Sequence, residues 1–380
     1  MDFSFIPLEQ ELQKRVRKLA QDEIAPIAAE ADESGRVHRG LMSILARSGL
    51  LRYCVPQEFG GYGVKVIRLC LIREELARVS GQADTNFIMQ GLGSYPITLG
   101  GTPQQKARYL PPIARGEAIA AFALTEPGGG SDVLNMATSA TRHGDGWVLN
   151  GEKRFISQAG DAQTYVVFAK TDPAAGSRGL SAFIVAQGTP GFDDSHRQDL
   201  LAPHPIGAPR FTNCRLPGEN LIGQPGQGLR LALGTLDTFR TTVGAAAVGM
   251  AQAAYEAALS YAKSRPMFGQ HLSDFQATQF KLADMAVNLD AARLLTYRSA
   301  WLKDAGQESV IKEASFAKLF ATEAAFRIVN EALQIHGGAG LEKGSRVEAL
   351  YREVRSLTIY EGTSEIQRQT IARQLLKEGG

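Results

Sequence analysis

Apolar positions recur at helical spacing over the first hundred or so residues. Leu8, Leu12, Val16 and Leu19 line one face, and Leu69, Leu71, Ile72, Leu76 and Ala77 repeat the pattern further on. The spacing predicts helices separated by turns such as Glu58-Phe59-Gly60-Gly61-Tyr62-Gly63. From Ala118 the pattern shortens to apolar or alternating runs, Ala118 to Leu124, Tyr165 to Phe168 and Leu180 to Val185, punctuated by Gly, Asp and Pro. That texture predicts a compact β region ending near Gly223. Helical spacing resumes after Gly228, where Phe280, Ala283, Val287, Ala291 and Leu294 read as a helix with one buried face. Segments 229–263, 274–303 and 308–335 are each long enough to be a bundle helix. The predicted order is α, then β, then α, with boundaries at 1–117, 118–223 and 224–380.

The 380 residues exceed what one hydrophobic core organises, which agrees with several domains. Hydrophobic residues at 44% and charged residues at 21% exclude extensive disorder. Forty-one basic against thirty-nine acidic residues leave a net charge of +2, so no overall field favours nucleic acid or an anionic membrane as partner. Cys54, Cys70 and Cys214 form no CxxC pair and are too few for a disulfide framework, which points to a reducing compartment. The charges from Glu9 to Glu23 fit neither a signal nor a transit peptide, and no run approaches eighteen uncharged apolar residues. A cytoplasmic protein with no membrane contact is expected.

The searches for familiar chemistry are informative by what they lack. The chain has no G-x-G-x-x-G, and Gly337-Gly338-Ala339-Gly340 follows a helix where a dinucleotide fold needs a strand. It has no Gly-Lys dipeptide, hence no Walker A loop, and its histidines have no metal-ligand spacing, so no metal site is expected. Thr125-Glu126-Pro127-Gly128-Gly129-Gly130-Ser131-Asp132 directly follows a β run. It reads either as a tight turn or as backbone and hydroxyl groups cradling a phosphate or a heterocycle. Phe155-Ile156-Ser157 offers an aromatic face beside a hydroxyl, or simply core. Near the C-terminus, Ile359-Tyr360-Glu361-Gly362-Thr363-Ser364-Glu365-Ile366 sets a carboxylate between an aromatic and a glycine. Partial desolvation there would raise its pKa towards a range useful for abstracting a proton. The same residues also read as a helix start capped by Thr363 or Ser364.

Five segments in order, TEPGGGSD (125–132), NGEKRFIS (150–157), RPMFGQ (265–270), QIHGGAG (334–340) and IYEGTSEIQR (359–368), resemble motifs of the FAD-dependent acyl-CoA dehydrogenase family. The resemblance extends over essentially the whole chain. It implies an α+β fold with an N-terminal helical domain, a central β-barrel-like domain and a C-terminal four-helix bundle. It also implies α,β-dehydrogenation of an acyl-CoA thioester to the trans-2-enoyl-CoA, with electrons passed to an electron-transferring flavoprotein. By similarity Glu361 is the base and Tyr360 helps wall the acyl chain. Some members carry the base on the long helix opening the C-terminal domain, but that position is Phe239 here.

The same resemblance assigns the remaining roles. Phe122, Leu124, Thr125, Ser131, Phe155 and Ser157 would approach the flavin ring and pyrophosphate. Arg265, Phe268, Gln276, Gln334 and Gly338 would hold the adenosine end across a subunit interface, with Thr363 and Glu365 following the base, in a homotetramer. Asp237 and Arg240 match CoA-contacting positions. Thr85, Ile88 and Leu92 would line a modest pocket for short, branched or cyclic acyl groups. The helix over residues 83–97 lacks the arginine by which the glutaryl branch receives a distal carboxylate. The segment Ala202 to Pro209 departs from the family's usual Met-Gly-x-Arg-like stretch. That departure keeps open a carrier-protein-bound acyl group, and the scaffold also supports flavin oxidases or monooxygenases.

Overall fold

The computed structural model describes residues 4–378. Six helices come first: α1 (Pro7–Leu19), α2 (Ala25–Asp32), α3 (Arg39–Arg47), α4 (Val66–Ala77), α5 (Gly81–Gly100) and α6 (Pro103–Arg115). A β segment runs from β1 (Ala120–Ala123) to β10 (Leu221–Ile222). The C-terminal part holds α7 (Gly228–Ser264), α8 (Gln276–Asp304), α9 (Ile311–His336), α10 (Arg346–Leu357) and α11 (Ser364–Glu378). A small hairpin, β11 (Pro266–Met267) and β12 (Gln270–His271), separates α7 from α8. The α, β, α order is thus that expected from the pattern.

Contacts divide the chain into two compact units, one made of Met1–Ala29, Lys65–Asp84 and Asp237–Gly380, the other of Glu30–Val64 and Thr85–Leu236. The second unit is built on a sheet whose strands include β2 (Ser139–His143), β3 (Gly146–Glu152), β5 (Thr164–Lys170), β6 (Leu180–Ala186), β7 (Phe192–Asp193) and β9 (Arg210–Leu216). They follow the order β10-β6-β5-β2-β3-β9-β7, with β1 parallel to β5. Central β5 and β6 are apolar along nearly their whole length and buried on both faces. Strand β9 alternates buried Phe211, Cys214 and Leu216 with polar residues, as a half-buried strand does. The sheet is open: two-residue β10 and β7 end it without pairing to each other, so it does not close into a barrel. Off the main sheet, β4 (Ile156–Ser157) pairs antiparallel with β8 (Ile206–Gly207).

In the first unit α9 packs against α8, α10 and α11, and α4 packs against α8 and α1. Its core is rich in alanine, including Ala246, Ala247, Ala254, Ala321 and Ala325. Small side chains let the helices approach closely: a Cβ on Gly249 would lie 2.2 Å from the Glu74 carbonyl, and one on Gly244 2.6 Å from Thr296 Oγ1.

One expectation from periodicity fails here. Phe280, Val287 and Leu294, taken as the buried face of α8, are 60%, 69% and 47% exposed. The face that meets α9 and α4 is instead Met285, Leu289, Ala292, Thr296 and Ser299. Helix α8 carries two apolar or small-residue faces, and spacing alone does not say which one the same chain covers. Leu8, at the start of α1, is likewise exposed while Leu12 and Val16 are buried.

Candidate functional site

The turn between α10 and α11 places Glu361 in left-handed backbone at φ 50°, followed by Gly362 at φ 92°. A non-glycine residue there is uncommon and marks a conformation imposed by its surroundings. Gly362 is required on two counts, its positive φ and a Cβ that would fall 2.5 Å from Gln367 Nε2. Thr363 opens α11: its Oγ1 accepts the Ile366 N–H at 3.3 Å, and the exposed Glu365 carboxyl is lowered by bonding its own main-chain N–H and Thr363. The helix-start reading and the site reading therefore describe the same residues.

Both carbonyls of the turn are taken by buried donors. The Glu361 carbonyl accepts from Gln367 Nε2 at 3.2 Å and Arg240 Nε at 3.4 Å. The Gly362 carbonyl accepts from Lys318 Nζ at 2.7 Å and Gln367 Nε2 at 3.0 Å. The Glu361 carboxylate, by contrast, has an enclosed Oε2 with no hydrogen-bond partner among the described residues. Burial raises the carboxyl above the usual carboxylate range, and Arg73, Arg240 and Lys318 oppose that rise while Asp84 adds to it.

Arg73 and Asp84 are buried and joined by two hydrogen bonds, Nε to Oδ1 at 2.7 Å and Nη2 to Oδ2 at 2.6 Å. A third, from Nη1 to Thr242 Oγ1 at 2.9 Å, fixes the guanidinium. An arginine thus reaches this region from α4 although α5 has none, and Asp84 already neutralises it. Asp237 and Arg240 lie one helical turn apart on α7 as a 3.6 Å ion pair. Burial raises the Asp237 carboxyl, with Arg240 and Lys303 opposing. Tyr360 is partly exposed next to Glu361 in the chain, and Phe239 is fully buried.

In the second unit the TEPGGGSD loop and the NGEKRFIS segment are tied together by one buried ion pair. Lys153 Nζ lies 2.7 Å from Glu126 Oε1 and 3.2 Å from the Leu124 carbonyl. The Glu126 carboxylate also accepts the Ala137 and Thr138 N–H groups; burial raises its pKa, but Lys153 first and these N–H groups second bring it below the usual carboxylate range. Burial pushes the Lys153 ammonium down to about 8, with Glu126 opposing. Arg154 N–H donates to the Thr125 carbonyl at 2.9 Å, completing the link.

Phe122 and Leu124 are buried, Thr125 and Ser157 half-buried, and Ser131 exposed. Phe155 stands out: it has φ 56°, a ring 49% exposed, and an N–H held by Gln198 Oε1 at 2.8 Å. The unusual 202–209 segment supplies β8, which pairs Ile206 with Ser157 and Gly207 with Ile156, so it seats this same stretch. On α5, Thr85, Ile88 and Leu92 share a face, and Ile88 and Leu92 are buried.

A third group, Arg265, Phe268, Gln276, Gln334 and Gly338, lies on the surface of the chain. Phe268, on the β11–β12 hairpin, has φ 48° and is 90% exposed. Of the five non-glycine residues with positive φ among the described residues, Phe155, Phe268 and Glu361 are three, so backbone strain concentrates at residues singled out from sequence. Cβ atoms on Gly128, Gly130 or Gly338 would meet nothing within 4 Å, leaving bare backbone facing open space as close approach to a nucleotide requires.

The sequence reading missed Arg73, Asp84, Lys318, Gln367 and the Lys153–Glu126 pair. Lys318 carried a signal, a lone charge inside Ala314-Ser315-Phe316-Ala317-Lys318-Leu319-Phe320-Ala321. Arg73 carried no such signal, since Glu74 and Glu75 follow it directly in α4.

Three segments match domains of one family: the acyl-CoA dehydrogenase N-terminal domain over residues 7–117, the middle domain over 121–214 and the C-terminal domain over 226–376. The mitochondrial short-chain specific acyl-CoA dehydrogenase of Bos taurus is 42% identical over 373 residues, covering 97% of this chain and 90% of that protein. Butyryl-CoA dehydrogenase from Megasphaera elsdenii superposes with a TM-score of 0.94 at 35% identity, over 99% of this chain and all of that one. A structure of PigA with FAD and proline gives a TM-score of 0.93 at 28% identity over 99% of each chain. The chain belongs to the acyl-CoA dehydrogenase family, as an oxidoreductase acting on CH–CH groups.

Proposed function

We propose that this protein oxidises a short or branched acyl-CoA thioester to its trans-2-enoyl-CoA, with Glu361 as the base. The observation that carries the reading is the enclosed, unpartnered Oε2 of Glu361 on a left-handed turn held from behind by buried donors. Its carboxyl, raised by burial, is suited to take the pro-R α-proton, since a base whose pKa approaches the working pH is the more effective one. The proton moves from the α-carbon to Oε2 while a hydride leaves the β-carbon, and the Cα–Cβ double bond forms. The Glu361 main-chain N–H donates to the thioester carbonyl as charge develops there. Asp237 and Arg240 contact CoA, and Tyr360, Thr85, Ile88 and Leu92 bound the acyl group. Asp84 pairs with Arg73 through two hydrogen bonds and so competes with any distal carboxylate for it, which argues against dicarboxylyl substrates.

FAD fits the second unit's residues and, when bound, supplies the hydride acceptor. Phe122, Leu124, Thr125, Ser131, Phe155 and Ser157 hold its ring and pyrophosphate. Exposed Arg265, Phe268, Gln276, Gln334 and Gly338 take the adenosine end of a cofactor bound mainly by a second subunit, with Thr363 and Glu365 beside the base. The heptad-spaced exposed residues Phe280, Val287, Leu294 and Trp301 on α8 support such an assembly, a homotetramer built as a dimer of dimers. An electron-transferring flavoprotein is the proposed acceptor and the cytoplasm the proposed location; no helix among the described residues is long and apolar enough to cross a membrane. The proposal also takes the chain as three domains, at 1–117, 118–223 and 224–380.

The test is a series of acyl-CoA thioesters added anaerobically to FAD-loaded protein. Loss of flavin absorbance with a short or branched thioester, sustained turnover with an electron-transferring flavoprotein or a ferrocenium salt, and slow turnover with O₂ are expected. Rapid peroxide formation in air would establish an oxidase instead.

A further inference from the structure

Lys318 is fully buried on α9, and among the described residues the acceptor within hydrogen-bond distance of its ammonium is a main-chain carbonyl, that of Gly362. Burying an ammonium against a single neutral carbonyl is costly, and a methionine would fill the same volume without that cost. Gln367, fully buried on α11, bonds the same carbonyl and the one before it, while its own Oε1 has no hydrogen-bond partner among the described residues. Two expensive polar groups on two helices therefore converge on the two consecutive carbonyls of a backbone turn that ordinary residues avoid.

We propose that Lys318 and Gln367 are positioning residues for the base: by fixing the Glu361 and Gly362 carbonyls, they hold the turn in the left-handed form that presents the Glu361 carboxylate and N–H to substrate. The inference rests on the reading of Glu361 as the base. Lys318 does a second thing that Gln367 cannot, because it is charged. Glu361 faces Arg73 from α4, Asp84 from α5, Arg240 from α7 and Lys318 from α9. Lys318 in turn faces Glu361, Arg240, Glu323 and Glu365, and burial pushes its ammonium down to about 8 with Glu361 opposing. At neutral pH the lysine is largely charged, so it favours the ionised carboxylate. Removing it raises the Glu361 pKa; removing Gln367 does not.

The experiment compares FAD-loaded wild type with Lys318→Met and Gln367→Leu by three readouts. Hydrogen exchange of the peptide spanning 358–364, measured without substrate, is expected to speed up in both variants. The rate of flavin bleaching by butyryl-CoA is expected to fall by about 10²-fold in both, as a small misplacement of a reacting group does. The acid limb of the pH profile is expected to move to higher pH in Lys318→Met and stay in place in Gln367→Leu. Unchanged exchange in both variants, or a limb that stays put in Lys318→Met, would overturn the proposal. If Lys318→Met does not fold, the exchange and rate of Gln367→Leu decide the positioning role. If no thioester bleaches the wild type, the reading of the reaction fails, while the exchange measurement still decides whether these residues hold the turn.

Discussion

Glu361 sits under three influences that act on one proton. Burial raises its carboxyl, Arg73, Arg240 and Lys318 lower it, and Asp84, paired with Arg73, adds to the rise. A base works only when ionised, so proton abstraction should be complete above the raised pKa and fade as pH falls through it. Asp84→Asn leaves Arg73 charged and without its carboxylate partner, and the acid limb of kcat/KM should move to lower pH if Glu361 is the base proposed; an unmoved limb would mean that Arg73 does not act on Glu361. Gly362→Ala tests the backbone instead. It forces a side chain at φ 92° against Gln367 and should cost about 1–3 kcal/mol of stability, read from the denaturation midpoint. At this scale the sequence was readable where chemistry is local. A carboxylate between Tyr360 and a glycine announces itself, and Thr363 caps as its type suggests. Arg73, Lys318 and Gln367 meet Glu361 only through the fold, from 288, 43 and 6 residues away along the chain respectively.

Elements were legible wherever burial follows from periodicity. The long helices α7, α8 and α9 and the apolar β5 and β6 lie where the pattern puts them. The inverted reading of α8 has a physical reason: Phe280, Val287 and Leu294 give the stronger apolar signal, whereas Thr296, Ser299 and Ala292 give the face the chain itself covers. The 202–209 segment stood out because it departs from the Met-Gly-x-Arg-like stretch of the family, yet its Ile206 and Gly207 suffice to pair with β4, directly after Phe155. Between elements, the Lys153–Glu126 pair links the two segments proposed to face the flavin. Lys153→Met leaves a buried carboxylate without its cation, which costs about 3–5 kcal/mol in such pairs. Reduced thermal stability together with lower FAD occupancy is expected, and full occupancy at unchanged stability would remove the pair from the cradle's support.

For the whole molecule, the exposed α8 stripe and the exposed Phe268 hairpin make one prediction together. If a second copy covers the stripe and brings the hairpin to a neighbour's cofactor, Val287→Glu should break the assembly and release FAD in the same step. Light scattering and flavin absorbance after gel filtration check this; a dissociated protein that keeps stoichiometric FAD would contradict the composite site. The central claim is narrower, that Glu361 removes the α-proton. Its most direct measurement is anaerobic mixing of FAD-loaded wild type and Glu361→Gln with butyryl-CoA, following flavin absorbance. The amide preserves shape and removes the base, so cofactor content should be unchanged while bleaching slows by at least ~10²–10⁴-fold. Bleaching of Glu361→Gln at the wild-type rate would place the base on another residue.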